Sequence, residues 1–397
     1  MTDLIFILFL FALGACIGSF LNVVVWRLPR EQSLISPGSR CPKCLHALAW
    51  RDNIPVFGWM MLKGKCRYCQ ASISARYPII EFITGLLFAG WYVLFFILDL
   101  GPAASPQNLY IERDWPIFGL YLFVLAVLLA ASLIDAELFI IPLELTWLLA
   151  AVGVVVHTII DRPRLPGALL ASPLAGAMAV GALLGWLVSL YLLKKKIIPR
   201  SFDEINPLME HQKEKLAKEG TPKSDFPVFT KSQIRGEIRK EMLFLLPPLT
   251  LAAGLGLLTL IPGPLQRVWE DLLRQYWLAG ALGSIFGGMI GAFVVWITRI
   301  LGTIGFGREA MGLGDVHLMF GVGACIGAGP STIAFFLAPF GGMIIALYML
   351  IFSKRREVPY GPYLSLGTAF VMLFQCPIEA YLMPGIEGLR FMLFGSL

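Results

Sequence analysis

The stretch "LIFILFLFALGACIGSFLNVVVW" at residues 4–26 decides the fold class, because it contains no charged side chain. It exceeds the roughly 20 apolar residues that a helix needs to cross the hydrocarbon layer of a bilayer. No basic segment precedes it and no small-residue cleavage site follows, so it is predicted to be a retained span rather than a removed signal peptide.

The rest of the chain has the same character. Of its 397 residues, 57% are hydrophobic and 15% are charged, and the mean hydropathy is +0.75. This composition predicts an all-α polytopic membrane protein with about ten transmembrane helices. The span at 315–328 is short and rich in glycine, which also fits a broken or re-entrant helix. The predicted spans are 4–26, 79–99, 116–134, 142–161, 168–193, 242–261, 276–298, 315–328, 330–352 and 364–385.

The basic residues predict the orientation of these spans. Segments 27–78, 194–241, 299–308 and 354–356 together hold most of the 32 Lys and Arg residues. Basic loops are retained in the cytoplasm, and ten alternating spans place all four segments there with both termini outside. Topology thus explains the net charge of +6, and no nucleic-acid partner is predicted.

Two polar segments divide the chain into five parts. Residues 1–26 form the first span, 27–78 a small loop domain on the cytoplasmic side, and 79–193 a first group of spans. Residues 194–241 mix both signs of charge with Pro and Gly, which is typical of a solvated, partly helical insertion. Residues 242–397 form the second group of spans. No internal repeat stands out, and no pattern predicts an oligomeric state.

Four of the seven cysteines form a metal-binding pattern. "CPKC" at 41–44 and "CRYC" at 66–69 are two Cys-x-x-Cys pairs, and they predict a structural Zn²⁺ site of the zinc-ribbon type formed by Cys41, Cys44, Cys66 and Cys69. Two disulfides are the alternative, but the basic flanks place this loop in the reducing cytoplasm.

Two acidic residues stand out at the ends of spans. Asp135 closes the third span in "ASLIDAELFIIP", and Asp315 opens the eighth in "GLGDVHL". Four spans separate them, an even number, so the two carboxylates can meet on the cytoplasmic side. Two carboxyl groups that share a desolvated site can act as acid and base on a water molecule, which is how an aspartic dyad attacks a peptide bond.

The same acids have a second interpretation. Carboxylates at span ends also form proton or cation pathways, and a transporter component with a zinc-binding docking loop is therefore an alternative function. A transporter would place its acids near mid-membrane.

Gly312 and Gly314 precede Asp315 and are predicted to allow a tight turn and the approach of a substrate strand.

Together, these motifs resemble the type IV prepilin peptidases, which are bifunctional membrane aspartic peptidases and N-methyltransferases. The resemblance is carried, in the family's order, by "GSFLNVVVWRLP" (18–29), "SRCPKC" (39–44), "NIPVFGWMMLKGKCRYCQASISARYPIIEF" (53–82), "SLIDAELFIIP" (132–142), "GLGDVHL" (312–318) and "VPYGPYLSLG" (358–367).

The resemblance assigns roles to individual residues. It makes Asp135 and Asp315 the catalytic pair, the four cysteines the metal ligands, and Gly64 and Lys65 a pair linked to methyl transfer. Three features depart from the family. Leu143 follows Pro142 where an acidic residue is usual, His317 replaces a lysine, and four predicted spans instead of about two separate the aspartates.

The resemblance also implies a function. Such an enzyme removes the basic leader of prepilins and pseudopilins, after a glycine, at the cytoplasmic face of the bacterial inner membrane. It then methylates the new N-terminal residue from S-adenosylmethionine. Presenilin-like Gly-x-Gly-Asp peptidases are a nearer alternative, but they lack the four-cysteine loop.

Overall fold

The computed structural model describes residues 2–101, 109–163, 165–201, 231–307, 309–352 and 359–394. These residues form helices connected by turns and loops, and the β-structure among them consists of two isolated bridges. The all-α fold class is thereby confirmed. Most of the predicted insertion 194–241 lies outside the described residues.

Twelve α-helices make up the described part of the chain, together with short 3₁₀ segments and a π-helical turn at Val93–Ile97. The α-helices are α1 (Thr2–Arg27), α2 (Phe57–Met61), α3 (Arg76–Tyr92), α4 (Ile111–Leu138), α5 (Leu143–Ile160), α6 (Pro173–Lys194), α7 (Lys231–Leu258), α8 (Pro264–Leu273), α9 (Tyr276–Phe306), α10 (Leu313–Ile326), α11 (Ala328–Phe352) and α12 (Gly361–Phe394).

Within the described residues, eight helical segments are long and apolar enough to cross a membrane. They correspond to eight of the ten predicted spans. The other two predicted spans coincide with α10 and α11. Helix α10 has 14 residues and is about 21 Å long at 1.5 Å per residue, which is shorter than the ~30 Å hydrocarbon layer.

Two of the helices extend into segments that the sequence analysis took as polar, and one helix was not predicted. Helix α7 begins at Lys231, inside the segment taken as an insertion, and α9 continues to Phe306 through part of the basic segment 299–308. Helix α8 was not predicted, although its apolar residues recur at the spacing of an amphipathic helix: Leu265, Val268, Trp269, Leu272 and Leu273. Its Trp269 indole donates a 2.8 Å hydrogen bond to the carbonyl of Pro173.

The chain divides into two compact units. The first comprises Met1–Val152, Arg164–Gly167 and Ile333–Leu397. Inside it α1 packs on α3 through glycines four residues apart. A Cβ atom on Gly14 would lie 2.6 Å from the Thr84 carbonyl oxygen, and one on Gly18 would lie 2.8 Å from the Glu81 Cα. Small residues at this spacing let two membrane helices approach closely.

The second unit comprises Gly153–Pro163 and Ala168–Thr332. Helix α6 packs on α7 at Gly181 and Gly185 in the same manner, and α9 packs on α10. A buried His157 links α5 to α10, because its Nε2 lies 3.0 Å from the Cys325 carbonyl and its Nδ1 lies 2.9 Å from Asp161. Close packing at small residues thus stabilises each unit internally, and in the second unit buried hydrogen bonds add to it.

Candidate active site and metal centre

The four predicted cysteine ligands come together in the segment between α1 and α3. Their sulfur atoms all lie within 4.8 Å of one another, with 3.7 Å between Cys41 and Cys69 and 3.9 Å between Cys44 and Cys66. With Zn–S bonds of ~2.3 Å, sulfurs at the corners of a tetrahedron are about 3.8 Å apart. The cluster therefore fits a four-sulfur zinc site with no open position for a substrate.

The site is built from two halves with the same backbone structure. In the first, Arg40 bridges to Ala47 and the Cys41 N–H donates to the His46 carbonyl at 3.0 Å. In the second, Lys65 bridges to Ser72 and the Cys66 N–H donates to the Ala71 carbonyl at 2.8 Å. Each half is a knuckle that presents two thiols toward one point, as the two Cys-x-x-Cys pairs predict.

Backbone amides also prepare one thiol for metal binding. Hydrogen bonds from the backbone of Cys44 and Lys43 lower the pKa of Cys41 to about 6. The thiolate is the form that binds metals. The pKa of Cys44 moves the other way, to about 11, because the lowering effect of a backbone hydrogen bond at His46 is outweighed by burial and by hydrogen bonds with the other three thiols. These shifts therefore favour the thiolate at Cys41 only.

A bidentate ion pair supports the second knuckle. Asp52 is buried, and it accepts hydrogen bonds from Arg67, which follows Cys66: Nε lies 3.0 Å from Oδ2 and Nη2 lies 2.5 Å from Oδ1. The Arg67 guanidinium holds the pKa of Asp52 below its usual value. The pair therefore stabilises the fold at pH values above the usual Asp pKa, and this contribution is lost as the pH falls and Asp52 is protonated.

Two contacts attach this loop domain to membrane helices. Glu81 on α3 accepts a 2.7 Å hydrogen bond from the backbone N–H of Val56. Arg76, at the start of α3, forms an ion pair with Glu137 near the end of α4. The domain is thereby joined to the helix that carries Asp135.

Gly64 has a structural role in this domain. Its φ of +69° lies in the left-handed region, and a Cβ atom there would lie 2.9 Å from the Trp59 ring. The Trp59 indole donates to the Ile73 carbonyl at 3.1 Å, which fixes the ring against Gly64. Lys65, in contrast, is exposed.

Asp135 is buried near the C-terminal end of α4 and is held by the last helix. Its Oδ2 accepts a 2.8 Å hydrogen bond from the N–H of Gly361, the first residue of α12. A Cβ atom on Gly361 would lie 2.7 Å from that oxygen, so only glycine allows this approach. One turn earlier, Ser132 donates to Ser365 at 2.8 Å. These two contacts fix α4 against α12.

Asp315 is buried in the first turn of α10. Gly312 is the N-cap residue, with φ −73° and ψ 152°, which any residue can adopt, so the tight-turn explanation does not apply to it. A Cβ atom there would lie in ordinary contact with Asp315 Oδ2, at 3.6 Å. The other expectation, that Gly312 and Gly314 leave room for a substrate strand to approach, stays a prediction. His317 Nδ1 lies 2.9 Å from the Leu313 carbonyl, one turn back.

The two aspartates belong to different compact units, Asp135 to the first and Asp315 to the second. Each is a buried carboxylate at the end of an apolar helix. The dyad itself therefore stays a prediction.

Comparisons with known proteins address the first part of the chain most directly. The sequence model of the bacterial peptidase A24 N-terminal domain matches residues 12–95, which include all four cysteines. No solved structure matches the chain.

Three curated relatives have closely related names. A prepilin leader peptidase/N-methyltransferase of Myxococcus xanthus is 41% identical over 36% of this chain and 37% of its own length. A type 4 prepilin-like proteins leader peptide-processing enzyme of Escherichia coli is 43% identical over 22% of this chain and 42% of its own.

The third relative is aligned over more of its length. A prepilin leader peptidase/N-methyltransferase of Klebsiella pneumoniae is 39% identical over 43% of this chain and 68% of its own length. The matches to the first two relatives span less than half of those proteins. On the strength of the Klebsiella match, and of the cysteine cluster that lies within the matched domain, this chain belongs to the prepilin leader peptidase/N-methyltransferase family.

Proposed function

We propose that this protein is a membrane aspartic endopeptidase that removes the basic leader of type IV prepilins and pseudopilins. The observation that carries the proposal is that Asp135 and Asp315 are both buried carboxylates at the ends of apolar helices. Family membership favours this function over a transporter. The even number of predicted spans between the two residues supports their meeting on one side of a bacterial inner membrane.

The proposed mechanism uses the two carboxyl groups as acid and base. One stays protonated while the other accepts a proton from water, whose oxygen attacks the carbonyl carbon of the peptide bond after the leader glycine. The protonated carboxyl group then donates to the departing nitrogen. The Gly361 N–H would fix the orientation of Asp135 throughout, because backbone donors do not reorganise during the reaction.

We further propose that the new N-terminus is methylated, with S-adenosylmethionine as the methyl donor. The donor supplies an electrophilic methyl group to the amine. Lys65 is exposed on the loop domain and can contact the carboxylate of such a donor, whereas Gly64 supports the fold beneath it. The positive charge of segment 27–78 favours the cytoplasmic side for this domain, where the donor and the basic leader would be found.

The proposed function is tested with membranes from cells that express this chain and with a tagged prepilin. We expect a product that lacks the leader and whose N-terminal peptide, measured by mass spectrometry, is heavier by one methyl group. Membranes without the chain provide the control. An uncleaved substrate would refute the peptidase, and a cleaved but unmethylated product would refute the second activity alone.

Lys65→Ala and Gly64→Ala should separate the two roles of this pair. Lys65→Ala should lower methylation at least about tenfold and leave cleavage and the melting temperature unchanged, because its side chain is exposed. Gly64→Ala should destabilise the loop domain by roughly 1–3 kcal/mol, through strain at positive φ and contact with Trp59. Normal methylation by Lys65→Ala would remove this residue from the site.

Gly361→Ala should impair cleavage by displacing Asp135. The added methyl group would lie 2.7 Å from the Asp135 Oδ2, and a displacement of ~1 Å at a reacting group can cost about 100-fold in rate. Gly119→Ala, on the α4 helix that carries Asp135, is the matched control, because nothing lies within 4 Å of a Cβ atom there. Equal kcat values for the two variants would contradict a positioning role for Gly361.

A further inference from the structure

Arg299, near the end of α9, is a buried cation that contacts two carboxylates and a backbone carbonyl. It is 1% exposed, its Nε lies 2.9 Å from Glu241 Oε1, and its Nη1 lies 2.5 Å from Glu309 Oε1. The same Nη1 donates to the backbone carbonyl of Met311. A guanidinium group stays charged inside a protein, so it is retained only where its hydrogen bonds are satisfied.

The partners of Arg299 come from two different parts of the second unit. Glu241 lies on α7, and its second oxygen accepts a 3.3 Å hydrogen bond from the Trp296 indole. Glu309 and Met311 lie in the loop between α9 and α10. Arg299 therefore joins a helical partner to a loop whose described residues, 307 and 309–312, have no regular secondary structure.

This loop is folded back along the end of α9. The Gly307 N–H donates to the Thr303 carbonyl at 3.1 Å, and the Ala310 N–H donates to the Thr303 hydroxyl at 3.3 Å. Ala310 also packs over Gly302, where a Cβ atom would lie 2.6 Å from the Ala310 Cβ. The contact with Met311 is the last of these, and it immediately precedes the N-cap residue of α10.

We propose that Arg299 is a positioning residue for Asp315. By holding the Met311 carbonyl and Glu309, it fixes where α10 begins and hence the direction in which its first turn presents Asp315. The part of this inference that concerns catalysis rests on the proposed function. Buried ion pairs add little net stability compared with apolar residues of similar size. Stability alone therefore does not explain why Arg299 also binds the loop.

The experiment compares Arg299→Lys with Arg274→Lys, the same substitution at an exposed ion pair of the same unit. Lysine keeps the charge but is a single-point donor that cannot replace the planar fork. We expect kcat for prepilin cleavage to fall at least about tenfold with KM within about twofold, because the scissile bond is still bound but Asp315 is misplaced. Arg274→Lys should match the wild type.

Hydrogen exchange measures the protection of the backbone amides in the loop, independently of activity. The 309–315 peptide should exchange faster in Arg299→Lys, while α7 and α9 keep wild-type protection. Glu309→Gln, at a position 28% exposed, should show the same local change and is used if Arg299→Lys does not fold.

Each outcome decides one question. Wild-type exchange in the 309–315 peptide of the folded variants would overturn the inference, and so would faster exchange with an unchanged kcat. If the wild-type protein does not cleave prepilin but the exchange pattern is as expected, the proposed function fails while the assignment of Arg299 to the loop stands.

Discussion

Replacing either Asp135 or Asp315 by Asn should lower prepilin cleavage by roughly 10³-fold or more, since loss of a single member of a catalytic unit removes most of its rate enhancement. Asparagine keeps the size of the side chain and can still accept the Gly361 hydrogen bond, so Asp135→Asn should fold normally. Its neutral amide cannot act as a general acid or base near neutral pH. Cleavage is measured at matched expression, with the product N-terminus identified by mass spectrometry.

Glu144→Gln is the control for these two variants. Glu144 is an exposed acid in the first turn of α5, and its conversion to an amide tests the general effect of losing a carboxylate at a span end. It should cleave at the wild-type rate. Processing that persists in either Asn variant would rule out the aspartic mechanism, and equal losses in all three variants would indicate damage to membrane insertion.

Replacing Cys41 or Cys66 by Ser should unfold the loop domain. Both thiols are buried, and the free energy of binding a structural zinc ion, about 10–16 kcal/mol in small domains, is also folding free energy. Purified wild-type protein should contain about one zinc ion per chain, and the Ser variants should contain almost none. Limited proteolysis should then cut inside residues 27–78.

Cys16→Ser serves as the control for the cysteine variants. Cys16 is exposed on α1, outside the loop domain, and its replacement should leave both zinc content and protease resistance unchanged. A Cys41→Ser protein that retained a full complement of zinc would contradict the four-sulfur site. Zinc loss without faster proteolysis would mean that hydrogen bonds such as the Asp52–Arg67 pair hold the domain unaided.

Local patterns in the sequence predicted most of the membrane-spanning helices and the four-cysteine metal centre. Hydropathy is a property of each segment, so the long spans could be located, although polar extensions such as the start of α7 at Lys231 could not. The metal cluster could be predicted because Cys-x-x-Cys fixes the geometry of two ligands locally, and two such pairs need only to meet. The sulfur positions agree with that expectation.

Contacts between distant residues could not be predicted in this way. Gly361 and Asp135 are 226 residues apart, and nothing in "VPYGPYLSLG" indicates that a backbone amide in it would bind a carboxylate on α4. The sequence analysis included Arg299 in the basic segment 299–308 and used it only to predict the orientation of the spans. Its burial depends on Glu241 and Glu309, which only the folded chain brings together.

The attachments of the loop domain have a consequence for where a substrate is cut. The Val56–Glu81 and Arg76–Glu137 contacts join the domain to α3 and α4, and a bound ion would close the chain between Cys44 and Cys66 into a ring. A ring attached at one side to α3, which is itself bonded to α4, cannot swing freely. On the proposed function, a leader bound to this domain would be cut at a fixed distance from it, because the domain is held in place relative to α4.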